Sequence, residues 1–115
     1  MKGPLMQFIV EDSDTHLHIR VMEPRIDAAV ATMFKDKLRD IVAPCGKSVC
    51  LDMAAVDFMD SSGLGAMISV RKSLPGNLAI VLQALTPNVE RVFRLTRMDS
   101  VFDLQPQPAR KEPDA

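Results

Sequence analysis

The chain has no tryptophan, no tyrosine and only five phenylalanines. Stacking on nucleic-acid bases depends on aromatic side chains, so that mode of binding is poorly supported. Neither sign of charge is in excess. Fourteen Lys and Arg stand against fifteen Asp and Glu, a net charge of −1. Such a balance offers no positive field to draw in nucleic acid or anionic lipid. Cysteine is scarce: Cys45 and Cys50 are too few for a disulfide framework and read as reduced thiols. Long apolar runs are missing too, none approaching the ~20 residues of a membrane span. The opening MKGPLMQFIVEDSD holds no apolar leader segment of useful length and no small-residue cleavage site. These absences make a soluble cytoplasmic protein the expectation, with neither nucleic acid nor membrane as a direct partner.

What is present suits one globular domain. At 115 residues the chain can bury roughly 65% of its unfolded surface. MQFIVED and THLHIRVM read as two strands separated by a polar turn at Asp12 to Asp14. In the second, Leu17, Ile19 and Val21 alternate with His16, His18 and Arg20, a period of two with one wet face. Pro24 stops that strand. Asp27 is placed to cap a helix over 28–43, with Val30, Phe34, Leu38 and Ile41 as its apolar stripe. SVCLDM is a nearly continuous apolar run, the mark of a central strand covered on both faces. A helix is expected from about Ser62 to Leu74, then a turn at Pro75, Gly76 and Asn77, then a buried strand in LAIVLQ. Thr86 and Pro87 open a third helix, with Val89, Val92, Phe93 and Thr96 inside. VFDL is a last short strand.

The order β-β-α-β-α-β-α-β favours a largely parallel sheet, because parallel neighbours need a crossover and helices supply it. Beyond it, QPQPARKEPDA has three prolines and almost no apolar content, the composition of a disordered tail. The expected organisation is one domain over 1–104 and a tail over 105–115. Deleting the chain from Gln105 is expected to leave the melting temperature nearly unchanged. A fall of more than ~4 °C would mean that the tail docks, since about 1 kcal/mol shifts a domain of this size by that much.

Most candidate sites dissolve on inspection. His16 and His18 share a strand face at a spacing that can chelate a metal, but no Cys-His or Glu-His cluster completes a ligand set, so a solvated face is expected. Gly46-Lys47-Ser48 resembles the end of a phosphate-binding loop. That pattern requires glycine where Ile41 stands, and it follows a strand rather than preceding one. Cys50 reads as core, and nothing marks Cys45 as a low-pKa thiolate. The eight methionines read as core filler. A hydrolase built on Ser61 or Ser62 would need a histidine base, yet both histidines lie on the second strand and G-x-S-x-G is absent. No catalytic residue, metal or cofactor is expected.

One stretch stands out: Asp60-Ser61-Ser62-Gly63-Leu64-Gly65, where a strand gives way to a helix. Asp or Ser before a helix accepts a backbone N–H, and glycine lets a helix start approach the sheet closely. Capping needs one such residue, and here there are three. A serine exposed at a helix start is also a well-placed phosphorylation switch, since phosphate adds about −2 charge beside Asp60. Chemistry alone leaves cap and switch equally open.

LDMAAVDFMDSSGLGAMISVRK resembles the signature of the anti-sigma factor antagonists, the stand-alone STAS-domain proteins of bacterial partner-switching systems. That pattern is an apolar strand ending in Asp, a short bridge, then Asp-Ser-Ser-Gly-Leu-Gly and a helix. LTPNVERVFRLTRMDSVFDL is similar to the family's next unit, and THLHIRVMEPRIDA to its second strand and loop, with Asp27 at the family's Asp. The match covers roughly residues 5 to 104. It implies a STAS-like mixed, largely parallel sheet of four to five strands with helices packed against it. It also implies a partner: an anti-sigma factor that is a serine kinase with a histidine-kinase-like ATP site. On this resemblance Ser61 is the phosphoacceptor. Its modification breaks the complex, and a metal-dependent serine phosphatase resets it. Asp27, Asp60, Ser61, Ser62 and Gly63 are the implied partner-binding residues. Two departures stand against the family pattern: Pro24 replaces the usual Gly, and the proline-rich tail replaces a C-terminal helix. Two other classes stay open, a non-switching STAS scaffold subunit of a larger regulatory or transporter assembly, and a small nucleotide-binding protein using the Gly63 and Gly65 turn.

Overall fold

Along β2, His16–Val21, the residues Leu17, Ile19 and Val21 are buried while His18 and Arg20 are exposed, as a half-wet strand requires. The computed structural model describes residues 7–105, so the expected tail lies outside them apart from Gln105. The elements are β1 (Phe8–Asp12), β2 (His16–Val21), β3 (Arg25–Ile26), α1 (Ala31–Val42), β4 (Ser48–Asp52), β5 (Phe58–Met59), α2 (Ser61–Lys72), β6 (Ile80–Gln83), α3 (Pro87–Leu95) and β7 (Asp103–Gln105), with a 3₁₀ turn at Met98–Ser100 before β7. Five strands form one sheet in the order β1-β2-β4-β6-β7. β1 is antiparallel to β2, and the other pairs are parallel. This is the mixed, largely parallel α/β sheet expected of the chain. Because Gln105 belongs to β7, the tail deletion is properly made from Pro106.

β3 and β5 are additions that the pattern did not reveal. Each is two residues long, and they pair in parallel with each other, Arg25 opposite Phe58 and Ile26 opposite Met59. A two-residue strand has no period to read, so only the tertiary fold creates it. The pair is fastened from below, where the Pro24 carbonyl accepts both the Asp57 N–H (2.8 Å) and the Phe58 N–H (3.2 Å).

Leu17, Ile19, Val49, Leu51, Ile80 and Leu82 form the inner rows of the large sheet. They share one apolar cluster with Phe34 and Leu38 of α1, Leu64 and Met67 of α2, and Val89 and Phe93 of α3. All three helices therefore lie on one face. SVCLDM and LAIVLQ are nonetheless buried on both pleats, as expected, although among the described residues the helices cover only one of them. Cys50 and Val81 are buried, yet they stand on the opposite pleat and outside that cluster. Neighbouring strands shelter Cys50: Ile9, His18, Arg20 and Gln83 line the same shallow recess. Burial pushes the Cys50 thiol up, and the charge of Asp103 adds to the effect. The thiol stays protonated at neutral pH and is no poised nucleophile.

The helix starts also depart from expectation. α1 begins at Ala31 rather than 28, and Val30 holds the cap position without a side-chain bond. Asp27 instead closes a turn: its Oδ1 accepts the Ala29 N–H (3.1 Å), and its carbonyl accepts the Val30 N–H (3.0 Å). Residues 27–30 are taken up in reversing the chain out of β3, so the helix starts later than capping preference alone implies. Phe34 and Leu38 are buried, as are Ala31 and Val42, with Val30 and Ile41 half-buried beside them. Thr86 holds the cap position before α3, where its carbonyl accepts the Glu90 N–H (2.8 Å), but its side chain makes no capping bond. Its hydroxyl donates to the Val56 carbonyl at 2.7 Å, tying α3 to the loop before β5. Thr96, expected inside α3, is exposed and donates to the Val92 carbonyl of its own helix. Phe93 meets Phe102 edge-on at 5.7 Å, which anchors the entry to β7. No helix among the described residues is long and apolar enough to cross a membrane.

Candidate functional site

The stretch singled out in the sequence lies where β5 ends and α2 begins. Asp60 is the residue before the helix, in extended conformation. Its Oδ1 accepts the N–H groups of Ser62 (2.9 Å) and Gly63 (3.1 Å). One carboxylate thus satisfies two of the donors that every helix start leaves open. Ser61 is the first helical residue, one position earlier than expected, and Ser62 follows it; both are exposed. No hydrogen bond of the described residues uses either hydroxyl. The cap is Asp60, and the two serines are left over from that task.

Gly63 explains why the turn sits where it does. A Cβ at this position would lie 2.2 Å from the Ile26 carbonyl oxygen and 2.9 Å from both the Ile26 Cγ2 and the Met59 Cγ. No side chain fits at 2.2 Å from backbone. The first turn of α2 is therefore pressed directly onto the end of β3. The same Ile26 oxygen accepts the Asp60 N–H at 3.4 Å. Gly65 differs, with nothing within 4 Å of where its Cβ would be. Close packing is the reason for the first glycine only.

This contact brings the Asp27 turn and the serine turn together. Ile26 opposes Met59 in the β3–β5 pair, so Asp27 and Asp60 leave adjacent strand ends side by side. Asp27 also receives the Arg25 Nε at 3.4 Å, and the Arg25 guanidinium lies 4.4 Å above the Phe58 ring. Arg25 and Phe58 carried no signal in the sequence beyond their residue types. They reach the site only through the two-residue strands. Phe58 is one of few large apolar side chains left exposed among the described residues. Ser62 faces a different way. It lines an open depression of about 310 Å³ between α1 and α2, with Ala28, Thr32, Lys35, Gly65 and Ser69.

The other candidates stay apart from this site. His16 and His18 lie on β2 with ring centroids 6.1 Å apart, and no group of three or more potential metal ligands occurs among the described residues. Lys47 of the loop-like triplet pairs with Asp12 and the Ser13 carbonyl. Ser48 begins β4, where its hydroxyl oxygen accepts the Ala79 N–H at 3.0 Å. Those residues hold two strand connections together.

A one-sided sheet topped by a glycine-packed, serine-bearing helix start defines the class: the chain belongs to the STAS domain family, whose model matches residues 7–111. Among curated relatives, the anti-sigma-B factor antagonist of Listeria monocytogenes is 30% identical over 98 residues, which is 84% of this chain and 85% of the relative. An anti-sigma factor antagonist from Mycobacterium paratuberculosis has the same fold, at a TM-score of 0.75 and 24% identity over 94% of this chain and 91% of that one. The Bacillus cell fate determinant SpoIIAA, solved in its phosphorylated form, superposes at a TM-score of 0.63 and 18% identity, covering 87% and 90% of the two chains.

Proposed function

We propose that this chain is an anti-sigma factor antagonist. Its unphosphorylated form binds an anti-sigma factor that is a serine kinase, which frees a sigma factor, and phosphorylation of Ser61 releases it. The observation that carries this reading is the division of labour at the start of α2. Asp60 alone caps the helix, while the Ser61 hydroxyl is exposed and unused. A hydroxyl that the fold does not need is available to chemistry. The names of the curated relatives support the same reading. The docking surface in this proposal comprises Asp27, Asp60, Ser61, Ser62 and Gly63. Gly63 acts by holding the two turns together and the others by contact. A metal-dependent serine phosphatase would restore the hydroxyl.

The acceptor is tested by incubating the protein with its cognate kinase and ATP and mapping the phosphate. Ser61→Ala is expected to abolish labelling, and Ser62→Ala to reduce it at most, because Ser62 lines the α1–α2 depression. Labelling that persists in Ser61→Ala would count against the assignment.

A further inference from the structure

β1 is one of the two edges of the large sheet. An edge exposes a row of backbone donors and acceptors, and proteins blunt it with proline, charged side chains, bulges or brevity. β7, the other edge, is three residues long. β1 runs for five residues in unbroken register with β2 and holds no proline or bulge; its charged residues, Glu11 and Asp12, are confined to its last two positions, so Phe8, Ile9 and Val10 form an apolar stretch of edge. Ile9 is 46% exposed and Val10 43%. Met22, just past the end of β2, is 38% exposed, and its N–H donates to the Gln7 carbonyl at 3.0 Å. The exposed large apolar side chains of the described residues thus gather along this edge more than anywhere else.

That same bond sets which backbone groups are unpaired. In an antiparallel pair, alternate residues turn their N–H and C=O toward the neighbour. Gln7, Ile9 and Glu11 therefore bond toward β2, and Phe8, Val10 and Asp12 direct their groups outward. Any added strand must set outward residues opposite outward residues. For an identical strand related by a twofold axis, only registers centred on a residue meet that condition. Centring on Val10 sets Ile9 against Glu11 and Phe8 against Asp12. Centring on Glu11 opposes two carboxylates, and centring on Phe8 sets Ile9 against the Gln7 amide. Centring on Ile9 opposes Ile9 to Ile9, Phe8 to Val10 and Gln7 to Glu11, with apolar against apolar and no like charges facing. Phe8 is already held edge-on to Phe34 at 5.9 Å, so the strand is anchored.

We propose that β1 is the seam of a homodimer, in which a second copy of this chain adds across the edge in the Ile9-centred antiparallel register. The two sheets then become one. Only β1 and its margins meet, so the pair falls among small, transient interfaces. Sedimentation velocity of the full chain is expected to show a dimer fraction rising with concentration, half-complete on the order of 100 µM. Ile9→Lys places two ammonium groups across the axis and is expected to remain monomeric at the same concentrations, with an unchanged circular-dichroism spectrum. A second variant locates the seam without loss of packing. Opposed residues that do not exchange hydrogen bonds have Cα atoms about 4.5 Å apart, close enough for a disulfide. In a Cys45→Ser background, Ile9→Cys is expected to form a covalent dimer under mild oxidation. Glu11→Cys, on the same face two residues along, is expected to link at least tenfold more slowly. A wild-type chain that stays monomeric up to about 1 mM overturns the proposal. So does cross-linking of Glu11→Cys as fast as Ile9→Cys.

Discussion

Gly63→Ala is expected to lower the melting temperature by roughly 4–12 °C and to abolish partner binding in whatever remains folded. The new methyl would stand 2.2 Å from the Ile26 carbonyl, and backbone cannot yield as a flexible side chain can. Forcing extra volume into a tight contact costs about 1–3 kcal/mol, and each kcal/mol moves a domain of this size by about 4 °C. The relief available is to lift α2 off β3, which separates Asp27 from Asp60 and loosens the Asp60 N–H bond to Ile26. Gly65→Ala is the matched control. Its Cβ meets nothing, and alanine is the better helix former by about 1 kcal/mol, so its melting temperature should rise by a few degrees. Calorimetry on the two variants decides the matter. If Gly63→Ala melts with Gly65→Ala, the close approach of the helix start is not what fixes the site.

Ser61→Asp is expected to keep its circular-dichroism spectrum and its melting temperature within ~3 °C, while its affinity for the kinase falls at least tenfold. The added carboxylate sits in the first turn of α2, where helix dipole and negative charge attract by a few tenths of a kcal/mol to about 1 kcal/mol. Asp60 already holds the Ser62 and Gly63 N–H groups, so the new charge finds a helix start whose donors are taken, and repulsion offsets attraction. The fold is therefore nearly indifferent, and the effect falls on the interface. Asp27 and Asp60 leave adjacent strand ends, so a further charge would have to be desolvated beside two carboxylates. An unpaired charge buried at an interface costs several kcal/mol, and ~2 kcal/mol already weakens binding about 30-fold. Ser61→Ala should bind persistently, because it cannot be modified. Unfolding of Ser61→Asp would make the switch a folding event. Wild-type affinity in that variant would mean that carboxylate mimics phosphate poorly here or that the switch proposal is wrong, and enzymatically phosphorylated protein in the same assay separates the two.

Both predictions depend on contacts of unequal visibility. The acidic and hydroxyl residues of the site are written in one contiguous run, Asp60 to Gly65, so their clustering needed no folding. Which of them caps the helix did not follow from residue type, since Asp and Ser are equally good caps. The backbone path settled it for Asp60, which left both serines unengaged. The two glycines look alike in sequence. They separate only when the Ile26 carbonyl oxygen, remote along the chain, comes to lie 2.2 Å from where a Cβ on Gly63 would stand, while a Cβ on Gly65 would meet nothing.

Elements with a long period were legible for the same reason that they are stable. Burial on one side leaves a repeat of two or of about 3.6 residues in the chain, as in Leu17, Ile19 and Val21 of β2 or Phe34 and Leu38 of α1. The sequence by itself thus determined the α/β alternation, the three helices, the strands of the large sheet and the identity of the serine turn. Tertiary structure decided what has no period. It made β3 and β5 from two residues each, and it carried Arg25 and Asp27 to the serine turn. Among the described residues it set every helix on one face of the sheet, and it buried Cys50 and Val81 of the other face without a helix over them. The physical reason is range. A periodic pattern records contact with a continuous surface, whereas these features rest on single bonds and single close approaches between segments far apart in the chain.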